Sequence, residues 1–413
     1  MHFGTLVFAL TYILISMGEN SPRKLDRPTA ALVGAVLMVM TRSLTRAQAA
    51  AAIDLSTISL LFGMMVLLAM LIQSRLPTAF AFRVIRRCHS PHALLAAVVF
   101  ISGMASALML NDTVCLLGTP ILLEVIIQAE LPPVPFLLAL ATGSNIGSVM
   151  TLTGNPQNMI IGQLSGWSWS GFLMRMAPVG LVCLVVDWLV LSLLFQKQLA
   201  PVNMHIEWAP GSEMEVRRKL AVRSLIVFTA FIAAILLGAP MDFAAVAAAT
   251  ILLVWINRPP RITLGMVDWS LLLFFAGLFV VVEGLVRTDR ALLERSLSAL
   301  GTQAGLGSVV KWSTATLLGS NIFSNVPFVL IAGHWVEKMS EPKLFWLLLA
   351  LTSTFAGNLT LFGSVANLIV AQRSRKSVQL SFWDFLRAGV PVTLLTTVIG
   401  VAILWAFHLL GWA

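Results

Sequence analysis

The sequence predicts an all-α polytopic membrane protein made of two inverted repeats, each with five transmembrane helices, a re-entrant hairpin and a broken helix. The first observation is composition: the 413 residues are 58% hydrophobic and only 11% charged, with a mean hydropathy of +0.91, whereas a soluble domain carries about 25% charged residues. The second is that short polar stretches interrupt long apolar runs, and the third is that both stretches recur in the second half. About ten spans of roughly 20 residues fit this length.

The charge and the cysteines exclude several other classes of protein. The net charge of +9 could indicate a nucleic-acid partner, but the basic residues concentrate in short loops between apolar runs, as in a chain bordered by membrane lipid. We therefore expect no nucleic-acid partner. Cys88, Cys115 and Cys183 do not make a disulfide framework. Cys88, His89 and His92 are close in sequence, but three residues in one loop are a weak signal, and we predict no metal site.

The first half contains five predicted spans with two special segments between them. The spans cover residues 2–17, 29–41, 55–73, 135–163 and 171–195. Residues 74–91 interleave arginines with apolar residues, which is typical of an amphipathic helix in the membrane interface. Residues 93–127 carry polar residues at their middle. Because two arms of about 16 residues at ~1.5 Å per residue are short for two full spans, we predict a re-entrant hairpin.

Two polar stretches in this half are unusual for membrane segments. Residues 111–113 (NDT) form the tip of the predicted hairpin, and residues 144–158 (SNIGSVMTLTGNPQN) interrupt the following span. Gly147, Gly154 and Pro156 predict that the second stretch is not a continuous helix. Unpaired polar groups are costly in hydrocarbon, and irregular backbone persists there only where protein covers it or it lines a cavity. The sequence therefore predicts a binding site made from broken helices.

The second half of the chain repeats the first. An offset of 214 residues separates Asn111 from Asn325, and TLTGNPQNMII at 151–161 matches TLFGSVANLIV at 360–370. Several matches in the same order favour an internal duplication. The second-half spans and hairpin are predicted at 222–239, 242–257, 269–286 and 309–335. The predicted divisions are a first repeat at 1–196, a cytoplasmic linker at 197–221 and a second repeat at 222–413, with scaffold and transport domains drawn from both repeats.

The repeats are predicted to be inverted, because five crossings in the first half place the second half on the opposite side. Charge supports this arrangement: one set of loops holds 18 Lys and Arg residues and the opposite set holds 8. The loops of the basic set are 18–28, 74–91, 196–223, 258–266 and 371–387. The positive-inside rule puts this set in the cytoplasm and both termini outside.

The motifs that would indicate an enzyme are missing from the sequence. It has no phosphate-binding loop of the G-x-x-x-x-G-K-[ST] type, and no Ser/His/Asp constellation stands out. We therefore predict no catalytic residues and no cofactor. Inverted repeats with paired broken helices instead predict a secondary transporter that uses alternating access around a midplane site, with a proton or a sodium ion as the coupling ion.

The chain resembles the ion transporter superfamily, in particular its arsenite-permease and NhaD-type branch. Three stretches carry the resemblance: LNDTVCLLGTPILLEV at 110–125, LPPVPFLLALATGSNIG at 131–147 and TLTGNPQNMIIG at 151–162. It is closest to silicic-acid efflux transporter-like members and bacterial anion permeases. It implies a scaffold domain, a mobile transport domain, a homodimer and an elevator motion, in a bacterial cytoplasmic membrane. It also implies that each hairpin tip meets the broken loop that follows it.

Together these arguments predict one solute and ion site at the hairpin tips and helix breaks of both repeats. The candidate residues are Asn111, Asp112, Thr113, Ser144, Asn145, Thr153, Gly154, Asn155, Gln157, Asn158, Ser324, Asn325, Gly363, Ser364 and Asn367.

The departures from the superfamily's patterns suggest the cargo and the coupling ion. The sodium/dicarboxylate symporters of the superfamily carry Ser-Asn-Thr at both tips, whereas here Asp112 adds a titratable carboxylate and its counterpart in the second half is Val326. Burial disfavours a charged carboxylate, so we predict that Asp112 carries the coupling proton. The lining is rich in amides and hydroxyls and lacks a cationic clamp. This composition favours a small neutral inorganic solute, such as silicic or arsenous acid, over a multiply charged anion.

The sequence leaves several alternatives open. The chain could be a sodium/proton antiporter, a sodium-coupled anion importer or a channel, and an ATPase subunit could associate with it. Asp112 could be only a helix N-cap, and Asp54 and Asp268, which precede equivalent spans, are predicted to be caps. Asp187 lies in the middle of a span, where we expect a partner on another helix. It is the next candidate for the proton carrier.

Overall fold

The computed structural model describes residues 3–17, 25–200, 215–256, 259–375 and 377–412, and within these ranges the chain is helical, without strands. The helices of the first half are α1 (Phe3–Met17), α2 (Arg27–Met40), α3 (Arg46–Ala52), α4 (Leu55–Gln73), α5 (Leu76–Ile85), α6 (Pro91–Leu108), α7 (Asn111–Gln128), α8 (Pro133–Ser148), α9 (Pro156–Leu164) and α10 (Trp169–Leu194). The helices of the second half are α11 (Arg218–Leu236), α12 (Met241–Ile256), α13 (Pro260–Leu264), α14 (Trp269–Thr288), α15 (Arg290–Leu300), α16 (Leu306–Phe323), α17 (Asn325–Val336), α18 (Pro342–Ala356), α19 (Val365–Ser374) and α20 (Phe382–Leu409).

The helices α11 to α20 repeat the order of α1 to α10, and the two sets pack reciprocally. Helix α2 packs on α14 while α12 packs on α4, and α7 packs on α19 while α17 packs on α9. Helices α10 and α20 pack on each other, where the Cys183 thiol lies 3.5 Å from the Thr396 carbonyl oxygen. These two residues are equivalent in the repeats, at an offset of 213. Exchange of the repeats therefore preserves the packing, as an approximate two-fold axis requires.

Length and composition make this a multi-pass integral membrane protein. Among the described residues, seven helices are long and apolar enough to cross a membrane. The predicted interfacial segment at 74–91 contains the short helix α5. Helix α10 ends at Leu194 and α11 begins at Arg218, four residues before the predicted span at 222. The predicted linker falls mostly on residues 201–214, which lie outside the described ranges.

Two aspartates begin equivalent helices in the two repeats. The Asp54 carboxylate accepts a hydrogen bond from the Ser56 backbone N–H at 2.9 Å, before α4. The Asp268 carboxylate accepts one from the Leu271 N–H at 3.0 Å, before α14. Such bonds satisfy N–H groups that the first helical turn leaves free, and the prediction that both aspartates are caps is confirmed.

Each repeat contains a helical hairpin at the predicted place. The first is α6 and α7, joined through residues 109–110, and the second is α16 and α17, joined at Ser324. Each arm of the first hairpin has 18 residues, slightly more than predicted, which makes each about 27 Å long. Ser324 has a φ of 70° and a ψ of 154°, a backbone conformation that only glycine adopts easily. The second tip therefore turns on a strained serine.

Each hairpin is followed by a helix that is interrupted and then resumes. The first interruption covers residues 149–155, between α8 and α9, and the second covers 357–364, between α18 and α19. The prediction that the 144–158 stretch is not a continuous helix is confirmed, although α8 continues through Gly147 to Ser148 before the break begins. Gly147 is there for packing: a Cβ at this position would lie 2.0 Å from the Gly103 carbonyl oxygen on α6. The glycine allows the hairpin arm and the broken helix to touch backbone to backbone.

Candidate functional site

One asparagine supports the backbone at each helix break. The Asn158 amide nitrogen donates to the Thr151 carbonyl oxygen at 2.9 Å and lies 3.3 Å from the Ser148 carbonyl oxygen. The Asn367 amide nitrogen donates to the Gly357 and Thr360 carbonyl oxygens. The Gly357 and Thr360 carbonyl oxygens lie 2.7 and 3.0 Å from the Asn367 amide nitrogen. They are the counterparts of the Ser148 and Thr151 carbonyls at an offset of 209. The asparagines satisfy carbonyl groups that an interrupted helix leaves without partners.

Asn145, in the last turn of α8, is the centre of a buried amide network. Its side-chain oxygen Oδ1 accepts a hydrogen bond from the Asn111 side-chain amide at 2.9 Å and from the Ser364 hydroxyl at 3.1 Å. Its side-chain nitrogen Nδ2 donates to the side-chain oxygens of Asn358 and Asn367, at 2.8 and 3.0 Å. The network therefore joins the first hairpin tip, the first broken helix and the second helix break.

A second set of contacts occupies the equivalent place on the other side of the axis. The Asn155 amide nitrogen donates to the Ser148 hydroxyl at 2.8 Å and lies 3.3 Å from the Thr354 hydroxyl. The Gln157 amide nitrogen lies 3.4 Å from the same hydroxyl. Thr354 is the counterpart of Asn145 at an offset of 209, as Ser364 is the counterpart of Asn155. Each repeat thus reaches into the helix break of the other, with different side chains.

Both hairpin tips reach these breaks. The Asn111 backbone N–H donates to the Gly154 carbonyl oxygen at 3.1 Å. Gly154 has no room for a side chain, because a Cβ there would lie 2.2 Å from the Ser148 carbonyl oxygen. On the other side, a Cβ on Gly357 would lie 3.2 Å from both the Asn325 amide nitrogen and Ser364 Cβ. Asn111 and Asn325 therefore approach one polar region from the two repeats.

Several amide oxygens in this region are buried without a hydrogen-bond partner. They are the side-chain oxygens of Asn111, Asn158 and Asn325. An unsatisfied buried acceptor costs roughly 1–3 kcal/mol, so oxygens arranged in this way favour a ligand that supplies donors or positive charge. The side chains of the two networks are amides and hydroxyls, and none of them is a lysine or an arginine.

Asp112 lies beside this polar region and is not part of the amide network. It is half-buried and within electrostatic range of the Arg27 guanidinium and the Asp268 carboxylate, which lie at the starts of α2 and α14. The N-cap position of α7 is Leu110, so Asp112 is the second residue of the helix and not its cap. Its charge nevertheless lies in the first turn, where the helix dipole favours a negative group.

The remaining predicted residues lie at the margins of the two networks. The Ser144 hydroxyl is 3.0 Å from the Cys115 thiol, between α7 and α8. The Thr153 hydroxyl accepts from the Trp169 indole N–H at 3.3 Å. Thr113 is half-buried in the first turn of α7. A Cβ on Gly363 would lie 2.9 Å from the Gly357 carbonyl oxygen, so the second break is also tightly folded.

Sequence reasoning missed two members of the networks, Thr354 and Asn358. Both lie in the run TSTFAGN at 352–358, a polar interruption of an apolar segment like the one that identified residues 144–158. Alignment of the repeats at an offset of 209 places Thr354 opposite Asn145. The signal that could have found these residues was therefore present in the duplication.

The fold and its buried polar centre define a secondary membrane transporter. The model of the CitMHS citrate transporter family matches residues 12–354, and the chain belongs to this family within the ion transporter superfamily. The silicon efflux transporter LSI3 of Oryza sativa subsp. japonica is 31% identical over 469 residues, covering 97% of each chain. A 46 kDa membrane protein of Mycobacterium leprae is 32% identical over 424 residues, covering 98% of this chain and 99% of that protein.

A solved structure shares the fold. The crystal structure of the Alcanivorax borkumensis YdaH transporter, described as having an unusual topology, matches with a TM-score of 0.64 at 15% identity. The match covers 99% of this chain and 97% of that one. The family model and the relatives confirm the expected resemblance to the ion transporter superfamily and the prediction that the chain is a transporter and not an enzyme.

Proposed function

We propose that this transporter exports a small neutral oxyacid or metalloid, such as silicic or arsenous acid, in exchange for protons. The observation that carries the proposal is the buried network of amides and hydroxyls around Asn145, with unpaired oxygens on Asn111 and Asn325. We further propose an elevator motion of a homodimer, in a bacterial cytoplasmic membrane with the 196–223 loop inside. The inverted order of the repeats and the 18-to-8 charge bias support this orientation.

The chemistry of the lining favours a neutral solute that donates hydrogen bonds. Each hydroxyl of silicic or arsenous acid can donate to an amide oxygen, so the solute satisfies acceptors that are otherwise buried and unpaired. A multiply charged anion would instead require cationic, bidentate partners, and the networks contain no lysine or arginine. The similarity to a protein named as a silicon efflux transporter supports the same choice.

Proton coupling is assigned to Asp112. Its neighbours Asn111 and Thr113 hydrogen-bond but do not change charge near neutral pH, and the equivalent residue in the second repeat is Val326. Only one half of the site therefore titrates, which suits one exchanged proton per cycle. The charged groups that face Asp112 are Arg27 and Asp268. Movement of one charge across the membrane is worth roughly 2.3 kcal/mol per 100 mV.

Uptake into everted vesicles or proteoliposomes tests this assignment. With radiolabelled germanic acid or arsenite, the parent should accumulate solute by about tenfold for each proton exchanged and each pH unit imposed. Asp112→Asn keeps the size and the hydrogen bonding but removes the charge change, so pH-driven accumulation should be lost while solute exchange continues. Val326→Asn is the matched control at the equivalent position and should still accumulate. Accumulation by Asp112→Asn equal to that of the parent, with the same pH dependence, would overturn the assignment.

Sodium coupling is a second candidate. The unpaired oxygens of Asn111, Asn158 and Asn325 are hard oxygen ligands of the kind that bind small cations. In the same vesicles, accumulation that follows a sodium gradient and ignores a pH gradient would favour this candidate. A channel would equilibrate the solute without concentrating it.

A further inference from the structure

A second carboxyl group is buried inside the protein, away from the hairpin tips. Asp187 lies on α10 with no exposed surface, and its Oδ2 lies 2.9 Å from the Thr142 hydroxyl oxygen on α8. Its Oδ1 is also buried and has no hydrogen-bond partner. The partner on another helix that the sequence predicted is therefore a hydroxyl group and not a cation.

The Thr142 hydroxyl makes two contacts, and a charged Asp187 would leave one of them without a proton. The Thr142 hydroxyl oxygen also lies 2.9 Å from the Leu138 carbonyl oxygen. A hydroxyl carries one proton, so it can donate to Leu138 or to Asp187, but not to both. Both contacts are hydrogen bonds if Asp187 is protonated, because its carboxyl then donates to Thr142 while Thr142 donates to Leu138.

The elements packed on α10 do not offer Asp187 a compensating charge. Helix α8 contains no titratable residue, and the titratable group that faces Asp187 from its own helix is the Cys183 thiol, one turn earlier. The titratable residues of the other packed helices lie in their first two turns or their last turn: His92 on α6, Arg218, Lys219 and Arg223 on α11, and Asp384, Arg387 and His408 on α20. An isolated charged carboxylate in such a place is costly, so burial agrees with the proton count.

Asp187 is connected to the solute network through Thr142. The Thr142 carbonyl oxygen lies 3.4 Å from the Asn358 amide nitrogen, and Asn358 accepts from Asn145. Thr142 and Asn145 also lie one turn apart on α8. The second repeat has no such pair: the equivalents of Thr142 and Asp187, at offsets of 209 and 213, are Leu351 and Gly400, in contact with each other.

We propose that Asp187 is a proton-binding site distinct from Asp112, and that its protonated form holds α8 in the geometry in which Asn145 binds solute. When the proton leaves, Oδ1 and Oδ2 both require donors, so Thr142 turns its hydroxyl from Leu138 toward Asp187. Helix α8 then loses a bond in the turn that precedes Asn145, and the position of Asn145 changes. Asp187 is a positioning residue. This role rests on the proposed transport of solute at Asn145, and it is the same whether protons or sodium ions drive that transport.

The pH profile of solute exchange without any gradient tests the proposal. In proteoliposomes with equal germanic acid on both sides, the parent exchange rate should fall by about tenfold per pH unit once the proton is lost. Asp187→Asn is neutral at every pH, so its exchange should lose this fall and keep only the pH dependence that Asp112 contributes. Thr142→Ser keeps the hydroxyl and should follow the parent. A profile for Asp187→Asn that coincides with that of the parent would overturn the proposal.

A spectroscopic measurement keeps the test independent of the cargo. The infrared difference spectrum of the parent between acid and alkaline pH should contain the C=O band of a neutral, buried carboxyl. This band should be absent from Asp187→Asn and shifted in Thr142→Val, which removes the hydrogen bond to Oδ2. If the parent shows the band but does not exchange germanic acid, the proposed cargo is wrong and the proton site stands. If the parent spectrum shows no band that Asp187→Asn removes, the proton site is wrong.

Discussion

The two helix breaks agree in the residues that hold the backbone and differ in the residues that line the centre. Asn158 and Asn367 donate to equivalent carbonyl oxygens in the two repeats. In contrast, Asn145 corresponds to Thr354, and Asp112 corresponds to Val326. Both copies of the broken helix need the same support, whereas one solute needs only one set of contacts. The asparagines that hold the two breaks are therefore repeated for the sake of the fold, whereas the diverged pairs make the polar centre asymmetric.

The largest difference is expected between Asn145→Ala and Thr354→Ala. Asn145 bonds to four side chains of the network, so its removal leaves several buried groups unpaired at roughly 1–3 kcal/mol each. We expect Asn145→Ala to lower the free energy of unfolding by at least about 3 kcal/mol and to abolish transport. Thr354 accepts only two long contacts, at 3.3 and 3.4 Å, so Thr354→Ala should cost about 1 kcal/mol. Reversible unfolding in mixed detergent and SDS measures both values.

Equal losses in Asn145→Ala and Thr354→Ala would contradict the assignment of Asn145 as the centre of the network. Asn145→Asp serves as a control for size, because it keeps the accepting oxygen but loses the two donated bonds to Asn358 and Asn367. Its loss of stability should therefore exceed that of Thr354→Ala.

An intermediate effect is expected at the two backbone-supporting asparagines. Asn158→Ala and Asn367→Ala each leave two carbonyl groups of a helix break without their donor, at a cost of about 2 kcal/mol. In the same unfolding titration Asn367→Ala should cost about 1 kcal/mol more than Asn158→Ala, because Asn367 also accepts a hydrogen bond from Asn145. A loss in only one of them would show that the two breaks are not held in the same way, and the comparison above would fail.

The smallest effect is expected at the paired helix caps. Asp54→Ala and Asp268→Ala each remove the side-chain acceptor at a helix start, which typically costs about 1 kcal/mol. Asp54→Asn and Asp268→Asn keep an accepting oxygen and should recover most of that stability. Because Asp268 also acts electrostatically on Asp112, the pH dependence of accumulation should change in Asp268→Asn and not in Asp54→Asn. An identical pH dependence in both variants would argue against this interaction.

The architecture could be predicted from the sequence because it follows from periodic and compositional signals. The apolar runs located the spans, the offset of 214 located the second hairpin, and the aspartates located two helix starts. The glycine at position 147 was misleading, because glycine usually weakens a helix, whereas here it permits a contact with another backbone. Local propensity does not reveal which neighbour a helix will meet.

The hydrogen-bond partners within the candidate site could not be predicted in the same way. Ser364 and Asn145 are 219 positions apart and meet only because the repeats interlock. Asp187 was recognised as unusual, but its contact with Thr142 depends on how α8 and α10 are rotated against each other. The sequence therefore predicts which residues form the site, whereas the hydrogen bonds between them depend on how the helices pack.

The backbone contact between Gly147 and Gly103 has a consequence for how the two hairpins can move. It brings α6 and α8 together over a long surface, and the equivalent positions in the second repeat are Ala356 and Leu317, where α16 and α18 pack less extensively. Separation of hairpin from broken helix thus costs more in the first repeat than in the second. A gate that opens by lifting one hairpin would be hinged in the second repeat, while the first hairpin travels with its broken helix as one rigid body.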